Sequence, residues 1–336
     1  MKIQMKTYFN FTVLTLFCLV LIACSEDGYE EETPQKVTRW ECILFGSYPA
    51  NEVVCGSFNA VDDYALEEGD VIVDATLYSR LEHAEWTDND TEIDGRRYHR
   101  LNATDAMSHS NSRSQHYRWT DTEAWHYFAY APIKWRILKK TGDRALLLAD
   151  RMPDTHPFND TYTDTSWSTC SLRSWLNREF LNQAFTDSEI DAIVETDVKN
   201  DANYYFGTDC GPDTKDHVFI LSESETFSSP LAVEYGFSNS DSDRDPARRF
   251  RSTLYAKCRG AWWSPVEKYC GNSYWFMRTI GYTKANVVYV DDSGDTYNRG
   301  IVVTCNDAAV LPAIILDLSR ADYQEANPVY STDILK

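Results

Sequence analysis

Apolar positions recur along this chain in two rhythms, and the changes between them mark out its elements. Residues 40–45 (Trp40 to Phe45) read as a first strand, stopped by the turn Gly46-Ser47-Tyr48-Pro49. Lys134-Trp135-Arg136-Ile137-Leu138 and Arg144-Ala145-Leu146-Leu147-Leu148 are β-type runs flanking Thr141-Gly142-Asp143, the composition of a hairpin turn. From Leu172 the period lengthens. Leu172, Trp175, Leu176, Phe180 and Ala184 recur at three- and four-residue steps, one apolar stripe along a helix. Thr186-Asp187-Ser188-Glu189 is a capping box that opens a second helix ahead of Ile190, Ile193 and Val194. Residues 218–221 return to strand, and Ser222 with Glu225 opens a short helix. Asp245-Pro246 then predicts a helix running to Gly260, with Ala247, Phe250, Leu254 and Cys258 facing inward. Residues 287–290 and 300–304, around Asp291-Asp292-Ser293-Gly294-Asp295, predict a third hairpin, and residues 310–318 a last strand. Residues 50–130 are polar and interrupted, a loop-rich insertion within which residues 91–98 carry the Asp94-Gly95 signal of a tight hairpin. Hairpins with intervening helices and no βαβ rhythm predict an α+β domain over residues 40–320, with 321–336 left as a C-terminal tail.

The first residues change the picture of where such a domain works. Lys2 and Lys6 precede an apolar run that ends in Leu21-Ile22-Ala23-Cys24. That is the pattern of a lipoprotein signal over residues 1–23, with Cys24 as the lipidated residue. Residues 24–39 then form an acidic tether, and Ser25-Glu26-Asp27 with Glu30-Glu31-Glu32 resembles the surface-export signal of Bacteroidetes-type outer-membrane lipoproteins. The expectation is an outer-membrane protein, held only by its lipid and facing the cell exterior. A net charge of -20 excludes nucleic acid as a partner, because phosphate binding needs clustered cations that release counterions. Apart from Cys18 and Cys24, seven cysteines remain. Cys258–Cys270 and Cys42–Cys55 close short loops and are the bridges an oxidising compartment would favour.

Several segments together resemble one bacterial family. Ile43-Leu44-Phe45-Gly46-Ser47-Tyr48-Pro49, Pro132-Ile133-Lys134-Trp135-Arg136-Ile137-Leu138 and Leu146-Leu147-Leu148 look like the opening of the domain of unknown function 6273. Thr169-Cys170-Ser171-Leu172-Arg173-Ser174-Trp175-Leu176-Asn177 resembles its C-x-L-R-x-W-L-N helix. Tyr274-Trp275-Phe276-Met277-Arg278-Thr279-Ile280-Gly281 resembles its Y-W-W-L-R-S-x-G segment, with Thr279 in place of the serine. Val310-Leu311-Pro312-Ala313 stands where G-V-R-P-A closes the domain, with Leu311 in place of the arginine. The resemblance implies a C-type-lectin-like fold of the sulfatase-modifying-factor kind. In that frame the first and last strands pair and an irregular loop region bears the ligand. It implies no activity.

Candidate chemistry is sparse. No G-x-S-x-G, H-E-x-x-H or phosphate-binding glycine loop occurs. Cys258 lies between Lys257 and Arg259, as a reactive thiolate would, but its place on an apolar helix face reads as core. Asn239-Ser240-Asp241-Ser242-Asp243-Arg244-Asp245 alternates oxygen ligands yet lacks the glycine and glutamate of a calcium loop, so no metal or cofactor is expected. His99, His109, His116 and His126 read as solvated loop residues, and Arg244, Arg248, Arg249 and Arg251 as a basic cluster on an exposed helix side. What stands out is aromatic: Trp262, Trp263, Tyr269, Tyr274 and Trp275 crowd together beside Arg278, with the hairpin tip Asp291, Asp292 and Asp295 bordering them. Indole and phenol faces stack on sugars and anchor protein contacts. The expectation is therefore a surface-exposed, non-catalytic binding or adhesion module for a glycan or protein, with Trp262, Trp263, Tyr269, Arg278, Asp291, Asp292 and Asp295 as its site. An enzyme acting on surface glycan or protein, and a structural lipoprotein without a small ligand, are the alternatives.

Overall fold

Two long strands organise the molecule. The computed structural model describes residues 37–56, 66–102, 125–240 and 244–331. The signal segment with Cys24, His109, His116 and Asp241 to Asp243 lie outside the described residues. β1 (Arg39–Val54) is followed by β2 (Val71–Val73), the hairpin of β3 (Asp90–Ile93) and β4 (Arg96–Asn102), β5 (Trp125–Thr141) and β6 (Arg144–Ala149). β1 runs antiparallel to β5 along most of its length, and its register shifts between Leu44 and Ser47 and again between Pro49 and Asn51. Gly46, at φ +67, makes the first shift possible: a Cβ there would meet the Phe185 ring at 2.4 Å. The expected turn at residues 46–49 is thus a bulge inside a strand, because the chain on both sides of it finds the same partner.

These bulges let the long strands serve two neighbourhoods. The first half of β1 pairs with Gln324–Tyr330, while its end pairs in parallel with β2. The start of β5 pairs with β4, and its end with β6. Ala313–Asp317 adds to the far side of β6, and Val218–Phe219 completes a nine-stranded sheet. Two differences from the sequence reading follow. The strand expected last, near residues 310–318, pairs with β6 rather than β1, and the stretch read as a tail from residue 321 supplies the strand beside β1. The polar insertion forms the expected hairpin at Asp94-Gly95 but also joins it to the main sheet through β4 and β5, and Val53, Leu81, Ile93, Tyr98, Tyr127 and Ala129 form a second small core there.

Helix Ser171–Trp175 continues through a π turn, Leu176–Phe180, into Leu181–Ala184. It buries Leu172, Leu176, Phe180 and Ala184 against the sheet. Both capping boxes form: Thr186 with Glu189, and Ser222 with Glu225. The single helix expected over 246–259 is divided. Pro246–Arg248 is one 3-10 turn, Phe250–Ser252 is a strand beside Arg151–Met152, and only Leu254–Arg259 is α-helical. Beyond it lies a five-stranded sheet built on Trp275–Ile280, Asn286–Val290 and Thr296–Val302. The described molecule is α+β with strand predominating.

Candidate functional site

The residues named from sequence do not form one surface. Trp263 is buried, and Trp262 is half-buried with its ring 5.7 Å from that of Tyr274. Arg278 is buried too: its Nη1 reaches Glu225 Oε2 at 2.5 Å and the Ile220 carbonyl at 2.8 Å, and its Nη2 donates to the Lys199 carbonyl. A guanidinium surrounded this way has no face left for a ligand. Asp291 Oδ1 accepts from Ser293 and Asp295 backbone N–H groups, so it ties its own turn. Tyr269 lies under the Arg249 guanidinium, 5.1 Å from its ring centre, and the Asp292 carbonyl accepts from Asn272.

Of the arginine cluster, Arg244 is exposed as expected, but Arg248 and Arg249 turn inward because the helix that would have exposed them is broken. Arg248 Nε donates to the Gly294 carbonyl and Arg249 Nε to that of Ser293, satisfying acceptors in a buried hairpin tip. His99 and His126 sit on β4 and β5 rather than in loops; their Nδ1 atoms pair with Asp90 and Glu52. Cys42, Cys55 and Cys258 carry free thiols, so neither expected bridge forms. Burial pushes the Cys42 thiol up to about 11 and Cys170 to about 12, and holds Cys258 well above its usual range. None of these three is a thiolate at neutral pH, so none is poised as a nucleophile. Among the described residues no group of three or more His, Cys, Asp or Glu side chains could hold a metal ion.

An exposed aromatic surface does exist, built on a different loop. Asn203 is buried, and its side chain works in both directions. Its Nδ2 donates to the Ile280 and Asn298 carbonyls at 2.9 and 3.3 Å. Its Oδ1 accepts from the Tyr205 and Phe206 N–H groups at 2.9 and 3.0 Å. Asn203 N–H donates to the Thr208 carbonyl, and Gly207, at φ +64, returns its N–H to the Asn203 carbonyl. The loop closes on itself, and Asn203 bolts it to the five-stranded sheet. Its three successive aromatics have no interior to enter. Tyr204, Tyr205 and Phe206 are 69%, 49% and 39% exposed, and Tyr282 beside them is 53% exposed. Tyr204 and Tyr205 meet edge to face at 5.0 Å, and Phe206 and Tyr282 do so at 5.2 Å. The Arg299 guanidinium lies 4.9 Å from the Tyr282 ring centre, Tyr282 N–H donates to the Arg299 carbonyl, and Thr208 Oγ1 donates to the Tyr282 carbonyl. These contacts fix the four rings before any ligand arrives.

The signal for this loop was present. Asn203-Tyr204-Tyr205-Phe206-Gly207 sets three rings in succession between a turn-forming Asn and a Gly, and a run confined to a short loop cannot turn all three inward.

A family model described as a domain of unknown function, DUF6273, matches residues 142–318. That is more than half of the chain, and the chain belongs to this family. Comparison with curated proteins and with solved structures gave no match.

Proposed function

We propose that this DUF6273 protein is a non-catalytic binding module that holds a glycan by stacking sugar rings on Tyr204, Tyr205, Phe206 and Tyr282. The observation that carries the reading is the cluster of exposed rings on a loop whose backbone buried Asn203 ties to the sheet. Contiguous exposed apolar patches mark interaction sites, and rigid side chains forfeit little entropy on binding. Ring faces set at right angles, interrupted by phenol hydroxyls and the Arg299 guanidinium, suit a sugar's alternating C–H faces and hydroxyls better than the continuous aliphatic surface of a protein interface. A C-type-lectin-like frame belongs to the same proposal, supported by the pairing of β1 with Gln324–Tyr330 and by the aromatic loop being carried on another sheet. So does lipid anchoring at Cys24 in the outer membrane, facing outward, for which the sequence around that cysteine is the support.

The test is a glycan array probed with the full-length protein in detergent, followed by Tyr205→Ala with Tyr282→Ala. The double variant is expected to weaken binding of an array hit tenfold or more, since each lost stacking contact is worth roughly 1 kcal/mol. Its melting temperature should stay within a few degrees of the parent, because both rings are exposed. Absence of any glycan hit, or unchanged affinity in the double variant, would sink the proposal. Hydrolysis of an array member would replace it with the enzyme reading.

A further inference from the structure

A second site, independent of the aromatic loop, lies against the main sheet. A cavity of about 240 Å³ is bounded there by Lys134 and Arg136 of β5, by Asp150 and Arg151 just past β6, by Arg249 and Arg251, and by Glu67. In a chain of net charge -20 this lining carries five cations and two carboxylates. The carboxylates are already engaged. Asp150 takes Arg136 Nε at 2.6 Å and Lys134 Nζ at 3.5 Å. Glu67 takes Nη1 of both Arg151 and Arg251, at 3.3 and 3.1 Å. Asp70, behind Arg151, takes that residue's Nη1 and Nη2. Counting Asp70 with the lining acids still leaves an excess of two positive charges. Arg249 has no carboxylate within ion-pair distance among the described residues, and burial lowers its pKa.

Among the described residues, four guanidinium nitrogens of this lining have no hydrogen-bond acceptor: Arg136 Nη1, Arg249 Nη1, Arg151 Nε and Arg251 Nε. Arg136 and Arg249 are only 2% and 3% exposed, so water does not readily serve their free donors. Neither side chain is loose. The Arg136 guanidinium sits 4.3 Å from the Phe250 ring centre and 5.0 Å from that of Trp40, and Arg249 is held over Tyr269 with its Nε and Nη2 bound to carbonyls. Folding has thus kept fixed, desolvated guanidinium donors unsatisfied on both residues, and Arg249 without a paired carboxylate, which costs free energy unless an anion completes the site.

We infer that this cavity binds a tetrahedral oxyanion, the sulfate or phosphate group of an ester. Arg151 and Arg249 each have two of three nitrogens committed and offer single donors from separate elements. An anion with three free oxygens uses such scattered donors, whereas a planar carboxylate has two oxygens and prefers one paired fork. The ester's organic part has a place too. A cleft of about 140 Å³ shares Lys134, Asp150 and Arg151 with the cavity and continues along Tyr48, Pro49, Ala50, Pro132, Ile133 and Pro153. Its lining is largely apolar and suits a ring or short hydrocarbon.

Calorimetry on the full-length protein in detergent, with phenyl phosphate, phenyl sulfate and benzoate at constant ionic strength, tests this. One of the two esters should bind at a single site at least tenfold more tightly than benzoate. Lys134→Gln with Arg251→Gln should weaken that binding tenfold or more, while Lys139→Gln, an exposed control paired with Glu234, should leave it unchanged. A phosphate preference is recognised by affinity that rises through roughly pH 5 to 7 as the second proton leaves; sulfate affinity stays flat there. If the double variant does not fold, 15N resonances of arginine Nε and Nη groups in the parent serve instead, and several should shift together on adding the ester. No saturable binding by either ester, equal binding of benzoate, or full affinity in the double variant would each overturn the assignment.

Discussion

Glu225 answers to several donors at once, and its titration shows how a buried charge is kept. Its Oε2 accepts from the Ser222 N–H and hydroxyl and from Arg278 Nη1. Burial alone would raise this carboxyl above its ordinary 4.5, but the Arg278 charge and these hydrogen bonds outweigh it and leave the pKa lowered. A carboxyl with a lower pKa folded than unfolded stabilises the fold above the unfolded value, and the gain is lost as pH falls through the folded value. Glu225→Gln should therefore be less stable at pH 7 by about 3 kcal/mol, the scale of breaking a buried pair from one side. The deficit should shrink steadily below pH 4.5. Urea midpoints at pH 7 and at successively lower values measure it, and a deficit independent of pH would rule the ion pair out as its source. The same pair explains a misreading at residue scale. Arg278 beside Trp262 and Trp263 looks like a binding cluster in one dimension, but its partners Glu225, Lys199 and Ile220 come from distant segments that no local pattern announces.

Elements whose cause is local were legible, and those whose cause is a partner strand were not. The two capping boxes and the turn at Asp94 and Gly95, with φ +53 and +75, need only neighbouring residues, and all appear where the sequence puts them. The helix expected between Asp245 and Gly260 had true signals at both ends, but they belong to different elements. Asp245 and Pro246 start a 3-10 turn, while Gly260, at φ +114, ends a helix that Thr253 caps. Between them Phe250–Ser252 goes extended because it pairs in parallel with Arg151–Met152, about a hundred positions away. That break also turned Arg248 and Arg249 from an exposed stripe into buried donors. Gln324–Tyr330 was missed for an opposite reason. It is an edge strand, and Gln324, Glu325 and Pro328 are the polar and proline residues that keep an edge from recruiting other chains, so it reads like a tail.

At the scale of the molecule, anchoring and assembly can be separated. Among the described residues no helix is long and apolar enough to cross a membrane. If Cys24 carries the lipid, Cys24→Ala should move the protein from the detergent-extracted membrane fraction into the aqueous one. Persistence in the membrane pellet would refute that anchor. The pairing of β1 with Gln324–Tyr330 has a separate consequence, in time rather than space. Thr38 N–H reaches Ser331 Oγ across 293 positions, so one edge of the sheet waits for a segment synthesised after every other described element. Closing so long a loop is slow, and until it closes the outer edge of β1 is bare. A nascent chain halted after residue 318 should stay sensitive to protease within residues 39–54, whereas the 336-residue chain should resist. Equal resistance would mean that β1 is secured without its last partner. Until Gln324–Tyr330 pairs with it, β1 offers a row of unpaired N–H and C=O groups, the condition in which a strand is open to recruitment by another chain.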